Sequence, residues 1–204
     1  MSTKIIDQPG EFILSDNPSG ISKITLKNNF LTLQEAERTF SVLQAEIPWF
    51  QNSDRYGLQP RLTCWFGEHP YSYSGLTHTA NKQWHPLLED LRLRLQLETK
   101  HSYNSVLCNL YRDNQDNVDW HSDDEPALHK NPYIASISLG AARPFEMRKK
   151  PSSSNMKQVS MHLQPGSLLI MEGSTQEDWQ HRLPAVDDPC GPRINLTFRT
   201  IHPE

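Results

Sequence analysis

His121 and Asp123 stand two positions apart in NVDWHSDDEP, residues 117–126. On an extended segment such residues share a face, about 6.7 Å apart at the backbone, so an imidazole and a carboxylate at this spacing reach a common ion. A third ligand is required. His181, in the later strand-like run DWQHRLP, is the side chain that a double sheet would bring opposite the first two. Two imidazoles and one carboxylate form the facial triad of non-haem Fe(II) oxygenases, with positions left open for other ligands; zinc takes the same donors. Alone, the H-x-D spacing is a weak signal, and a solvated acidic turn is the bland alternative for a segment that also holds Asp124 and Glu125.

The run RINLTFRT adds a second constellation. Arg193, Asn195, Thr197 and Arg199 fall on one face of a strand, and Ile194, Leu196 and Phe198 on the other. Inside a barrel two arginines demand anions, and guanidinium forks match carboxylates, so a small dicarboxylate beside the metal would answer both. An amphipathic edge strand is the reading that competes with it.

These residues need a scaffold. Thr32 and Glu35 fit a capping box opening a helix through FLTLQEAERTFSVLQAEI, and LLEDLRLRLQLE is a second helix, built from good helix formers without β-branched residues. The first thirty residues read as an irregular or short-stranded lead-in. From Asn104 onward the texture is short strands divided by turns: NSVLCNLY, YIASISL, PFEMRKK, QVSMHL, SLLIM, DWQHRL and RINLTFRTI. Two helices followed by seven or eight strands imply a mainly β, α+β fold: a jelly-roll, cupin-like double-stranded β-helix with both helices on one side. A chain of 204 residues suits one domain. Its expected parts are a lead-in and helix over 1–50, a lid and helix over 51–103, and a jelly-roll core over 104–204.

Composition excludes several classes. A net charge of −4 argues against non-specific coating of duplex nucleic acid, and three cysteines without C-x-x-C spacing argue against a disulfide scaffold or structural zinc. The apolar runs are too short to cross a bilayer, and the N-terminus carries no apolar leader, so an intracellular protein of cytoplasm or nucleus is expected, with no membrane partner. Nothing signals a stable homo-oligomer, and a monomer is expected.

Over residues 55 to 202 the chain resembles the AlkB family of Fe(II)- and 2-oxoglutarate-dependent dioxygenases, most closely the eukaryotic nucleic-acid demethylase branch. The resemblance rests on PRLTCWFGEHPYSYSG, CNLYRD, DWHSDDEP, FEMRKK, LLIMEG, DWQHRLP and RINLTFRT, in that order. It implies iron held by His121, Asp123 and His181, and 2-oxoglutarate bound by Asn109, Tyr111, Arg193, Asn195 and Arg199, with O2 as the second co-substrate. It further implies oxidative demethylation of N1-methyladenine and N3-methylcytosine in DNA or RNA, releasing formaldehyde and succinate. Asp124 and Glu125 would then favour the cationic methylated base.

A base inside a duplex must be flipped or taken from a single strand, and it needs a stacking surface. Tyr71 and Tyr73 in PYSYSG are the candidates, with a tyrosine-rich supporting hairpin as the alternative. Trp65 and Phe66 are adjacent, so on a strand only one of them would point toward the site, with packing roles for both as the alternative. In RPFEMRKK the excess of Arg143, Arg148, Lys149 and Lys150 over Glu146 suits a phosphate track, as it would a solvated hairpin; Arg55 and Arg61 are weaker candidates. The modest basic count favours methylated single-stranded DNA or RNA over duplex. A 2-oxoglutarate-dependent hydroxylase of a protein or small molecule, and a non-catalytic nucleic-acid-binding module, are the competing readings.

Overall fold

The computed structural model describes residues 3–54, 57–73, 75–150 and 157–202, apart from the side chains of Asp54 and Tyr73. In chain order the first elements are β1 (Thr3–Ile6), β2 (Gly10–Asn17), β3 (Gly20–Lys27), α1 (Leu33–Glu46), β4 (Ser53–Asp54), β5 (Gly57–Leu58), β6 (Leu62–Gly67), β7 (Tyr71–Tyr73), β8 (Leu76–His78) and α2 (Pro86–Thr99). There follow β9 (Ser105–Tyr111), β10 (Val118–His121), β11 (Ile134–Gly140), β12 (Arg143–Lys149), β13 (Gln158–Leu163), β14 (Leu168–Gly173), α3 (Thr175–Asp178), β15 (Trp179–Leu183) and β16 (Arg193–Arg199).

The strands form two facing sheets, as the alternation of short strands and turns predicts. The larger runs β2-β3-β14-β11-β16-β9-β6 and the smaller β1-β13-β12-β15-β10. Their pairings are antiparallel except for β1 on β13. The lead-in is more ordered than expected, because β2 and β3 are eight-residue strands that extend the larger sheet through β14. The alternation in GISKITLK, with Ile24 and Leu26 fully or nearly buried between the sheets, was the overlooked strand signal.

Both predicted helices form. Thr32 caps α1 reciprocally with Glu35, its hydroxyl accepting from Glu35 N–H at 3.2 Å while the Glu35 carboxylate accepts from Thr32 N–H at 2.8 Å. In α2 the buried stripe is Leu88, Leu91 and Leu95, while Leu87 is half-buried.

The central strands β9 and β16 are buried along their whole length. Val106, Cys108, Leu110, Ile194, Leu196 and Phe198 face the helices in one apolar core. The intervening residues Leu107, Asn109, Tyr111, Arg193, Asn195, Thr197 and Arg199 line a cavity between the sheets. Polar groups facing inward on a fully buried strand are costly unless they are paired or serve a ligand, so this face marks the working interior. At its far end Gly140 has φ +79°, and a Cβ there would lie 2.4 Å from Pro192 O, so the β11 turn closes against the start of β16 only with glycine.

Candidate active site

The cavity has a volume of about 750 Å³. Asp123, His121 and His181 meet inside it, each offering one ligand atom within 4.8 Å of the others. Register produces this. His121 ends β10 directly opposite His181 of β15, and an irregularity between Val118 and His121 breaks the ladder just before the ligand. His121 Nδ1 lies 2.8 Å from Asp119 O, which fixes the ring and directs Nε2 toward Asp123, 3.9 Å from its Oδ1. Asp123 is set by its own backbone: its N–H donates to Gln176 Oε1 at 2.9 Å, and the neighbouring Ser122 hydroxyl donates to Trp179 O at 2.8 Å. Gln176 and Ser122 were not legible as site residues, because neither lies on a periodic face with the ligands.

The donor set fits a divalent metal. Burial pushes the Asp123 carboxyl up, but Arg199 and the two imidazoles outweigh it and hold the pKa at about 2. Desolvation lowers both histidines, His181 to about 3 with help from neighbouring His121, so both rings are neutral near pH 7. A carboxylate and two neutral imidazoles are the protonation states a metal requires. His181 Nδ1 is buried with no hydrogen-bond partner among the described residues.

The arginines occupy two ends of the cavity. Arg199 donates through Nε and NH2 to Asp123 Oδ2, at 3.2 and 2.8 Å, while its buried NH1 is unpartnered. Arg193 donates to Ser138 Oγ at 2.9 Å, lies against the Tyr111 ring with its guanidinium carbon 5.5 Å from the centroid, and leaves Nε unpartnered. Burial pulls its pKa down to about 10, Tyr111 opposing and nearby Arg143 adding to the fall. A dicarboxylate spanning metal and Arg193 would meet these open donors. Asn195 commits its amide to Ser136 Oγ, Ile137 O and the Thr197 hydroxyl, so it shapes the cavity wall. Arg61 is buried in the same cavity, its Nε donating to Asn109 Oδ1 at 3.1 Å, rather than lying on a surface phosphate path.

The remaining candidates divide. Glu125 lines the cavity and accepts from the Tyr71 hydroxyl at 2.8 Å; burial and the Asp123 charge raise its pKa. Asp124 is not brought in: the segment turns it outward, where it is exposed and paired with Lys150 at 3.0 Å. Tyr71 is only 1% exposed and stacks on Trp65 at 4.7 Å, with the Arg199 guanidinium 5.6 Å from its ring. It is therefore a wall that holds Glu125, not the open stacking face expected of it. Phe66 joins the helix-side core, while Trp65 backs Tyr71. The side chain of Tyr73 and all of Arg55 lie outside the described residues. Arg148 and Lys149 sit on β12, outside the cavity, and Arg143 is buried, donating to the carbonyls of Asp113, Asp116 and Pro184. Arg143 is thus a loop anchor and no part of a phosphate track.

Residues 23–199 match the model of the 2OG-Fe(II) oxygenase superfamily, and the chain belongs to that family. It is a dioxygenase dependent on Fe(II) and 2-oxoglutarate, with His121, Asp123 and His181 as the metal triad. Among curated proteins it is 48% identical over 211 residues to the alpha-ketoglutarate-dependent dioxygenase alkB homolog 3 of Bos taurus, covering 98% of this chain and 74% of the relative. The Homo sapiens counterpart is 46% identical with the same coverage. The DNA oxidative demethylase ALKBH2 of Bos taurus is 38% identical over 183 residues, covering 83% of this chain and 66% of the relative. The solved structure of OsALKBH1 superposes with a TM-score of 0.62 at 18% identity, over 87% of this chain and 97% of that one, a likeness of fold.

Proposed function

We propose that this chain oxidatively demethylates N1-methyladenine and N3-methylcytosine in single-stranded DNA or RNA, inside the cell, in nucleus or cytoplasm, working as a monomer. The observation that carries the reading is Glu125, a carboxylate in the iron cavity that is not among the three metal ligands. Both lesions carry positive charge near neutral pH and the repaired bases do not. A cation seated beside Glu125 offsets the repulsion from Asp123 and favours the ionised carboxylate. Tyr71 fixes the orientation in which that carboxylate accepts from the exocyclic amine. The name of the ALKBH2 relative, a DNA oxidative demethylase, supports the same substrate class.

When bound, Fe(II) would supply the oxidation of the N-methyl carbon by O2, one oxygen atom going to that carbon, which leaves as formaldehyde, and the other to 2-oxoglutarate, which becomes succinate and CO2. The protein's part is orientation and exclusion. Asn109, Tyr111, Arg193 and Arg199 hold the co-substrate, Asn195 shapes the wall against which it lies, and the segment 51–103 carries nucleotide recognition.

The test is mass spectrometry of DNA and RNA oligonucleotides carrying each lesion, incubated with iron, 2-oxoglutarate and oxygen. Loss of 14 mass units from either lesion, at about that value per methyl group removed, is expected on single strands. Intact methyl groups across both panels would falsify the assignment.

A further inference from the structure

Trp120 immediately precedes the ligand His121 on β10, the edge strand of the smaller sheet. Neighbouring residues on a strand face opposite ways, so as His121 turns inward Trp120 stands at the cavity mouth, half-buried. The outer face of the same sheet supplies two cations to its ring. The guanidinium carbon of Arg148 on β12 lies 4.3 Å from the ring centroid, and that of Arg182 on β15 lies 4.5 Å away.

These arginines are only partly neutralised. Arg182 Nε donates to Glu146 Oε2 at 2.6 Å, and Arg148 Nε to Gln180 Oε1 at 2.9 Å. Among the described residues Arg148 has no acidic partner, and the terminal nitrogens of both side chains have no protein acceptor. Two like charges on one indole repel, and the ring attraction at a partly exposed site is worth only about 0.5–1 kcal/mol. Packing alone is poorly served by this arrangement. Four open N–H-bearing nitrogens beside an accessible aromatic ring answer a ligand that is at once anionic and flat. Exposed Asp119 follows the same strand and repels an anion on its side, which leaves the path over β15 and β12.

We propose that Trp120, Arg148 and Arg182 form a subsite for the nucleotide adjoining the one in the cavity, its base stacking on the indole and its phosphodiester lying in the two guanidinium forks. This rests on the reading of the substrate as nucleic acid. An acidic polypeptide would use the arginines but leave the indole idle, so the ring selects the nucleotide.

The experiment measures binding, independently of turnover, by fluorescence anisotropy of unmethylated single-stranded oligonucleotides of one to five nucleotides. Base stacking by an aromatic is worth about 1–3 kcal/mol, so Trp120→Ala should weaken the five-nucleotide ligand roughly tenfold, with a loss that grows with length, and Trp120→Phe should recover most of it. Neutralising both arginines, in R148Q/R182Q, should lower the slope of log Kd against log salt by about 0.7 for each phosphate that is no longer neutralised. Unchanged Kd and slope in these variants overturn the subsite. So does a Trp120→Ala loss that is as large for a mononucleotide as for five, and so does polyglutamate competing as well as the oligonucleotide. The folded R148Q/R182Q protein keeps the test decisive if Trp120→Ala fails to fold. Demethylation by the unmodified chain, assayed in parallel, separates the two failures: repair with unaltered variant binding removes the subsite alone, and absent repair removes the function whatever the binding shows.

Discussion

Arg193 and Arg199 lie six residues apart on the same face of β16, 2% and 4% exposed, yet their surroundings push them in opposite directions. Arg199 faces Asp123 and is held firmly charged, its pKa raised above the usual arginine range as Asp123 overcomes the cost of burial. Arg193 has a hydroxyl, an aromatic ring and another arginine for company, and its pKa falls to about 10. One guanidinium has its anion within the protein and also steadies a metal ligand, with a single terminal nitrogen left open. The other is a buried cation still short of an anion, which is the state expected of a residue whose partner arrives with the co-substrate.

The largest effect should come from removing the acid that Arg199 serves. Asp123→Ala is expected to abolish iron binding and succinate formation together, measured by metal content and 2-oxoglutarate turnover. It also strands Arg199, so a loss of about 3–5 kcal/mol in denaturant unfolding should accompany it. A variant that stays as stable as the parent would show that the ion pair contributes nothing to the fold.

Replacing the arginines one at a time tests the contrast directly. Arg199→Met should cost a similar few kcal/mol, because it leaves Asp123 with a buried charge. Arg193→Met removes an uncompensated cation and should be near neutral or stabilising in the ligand-free protein, while raising the KM for 2-oxoglutarate more than tenfold and erasing the rise in Tm that 2-oxoglutarate gives. If Arg193→Met destabilises as much as Arg199→Met, the two arginines are alike and the contrast fails.

The two acids after Asp123 extend the same logic to the visiting base. Glu125→Gln should lower repair of the cationic bases roughly tenfold, equivalent to about 1.4 kcal/mol, while uncoupled 2-oxoglutarate turnover falls less. Asp124→Asn touches only the exposed pair with Lys150 and should stay within about twofold. Equal losses in repair and uncoupled turnover would remove Glu125 from substrate recognition.

Much of this was legible because it is periodic. The i, i+2 pair His121 and Asp123, the alternation in RINLTFRT and the capping box at Thr32 are local patterns readable from the chain; the first two each carried a bland alternative until resemblance joined them, and resemblance supplied Asn109 and Tyr111. What escaped depends on long-range register. Gln176 reaches Asp123 from the short helix α3, Trp120 meets Arg148 and Arg182 from two other strands, and Arg61 turns inward from a Pro-containing loop. Arg143 misled for the same reason, since its carbonyl partners lie in loops far along the chain. Basic residues in a row show charge, but the strand's pleat decides which of them meet solvent.

The smallest loss expected from breaking an ion pair at a buried carboxylate sets the scale for the cavity pairs. Asp116 is buried, but its partner Arg112 is 44% exposed on the side chain, and Arg112 Nε donates to Asp116 Oδ2 at 2.7 Å. Burial pushes the Asp116 carboxyl up, and the bonds from the Arg112 side chain and backbone outweigh it, so its folded pKa lies below the unfolded value of 3.8. A depressed carboxyl stabilises the fold above the unfolded pKa and loses that contribution as pH falls through the folded one. Asp116→Asn should therefore cost about 1 kcal/mol at neutral pH, solvent screening holding it near the value for exposed pairs, and the difference from the parent should shrink below pH 3.8. The check is denaturant unfolding of both proteins across that range. A gap as large as that for Arg199→Met would mean that the depth of the cavity adds nothing to an ion pair, and that Arg199 is held no more tightly than an arginine at the surface.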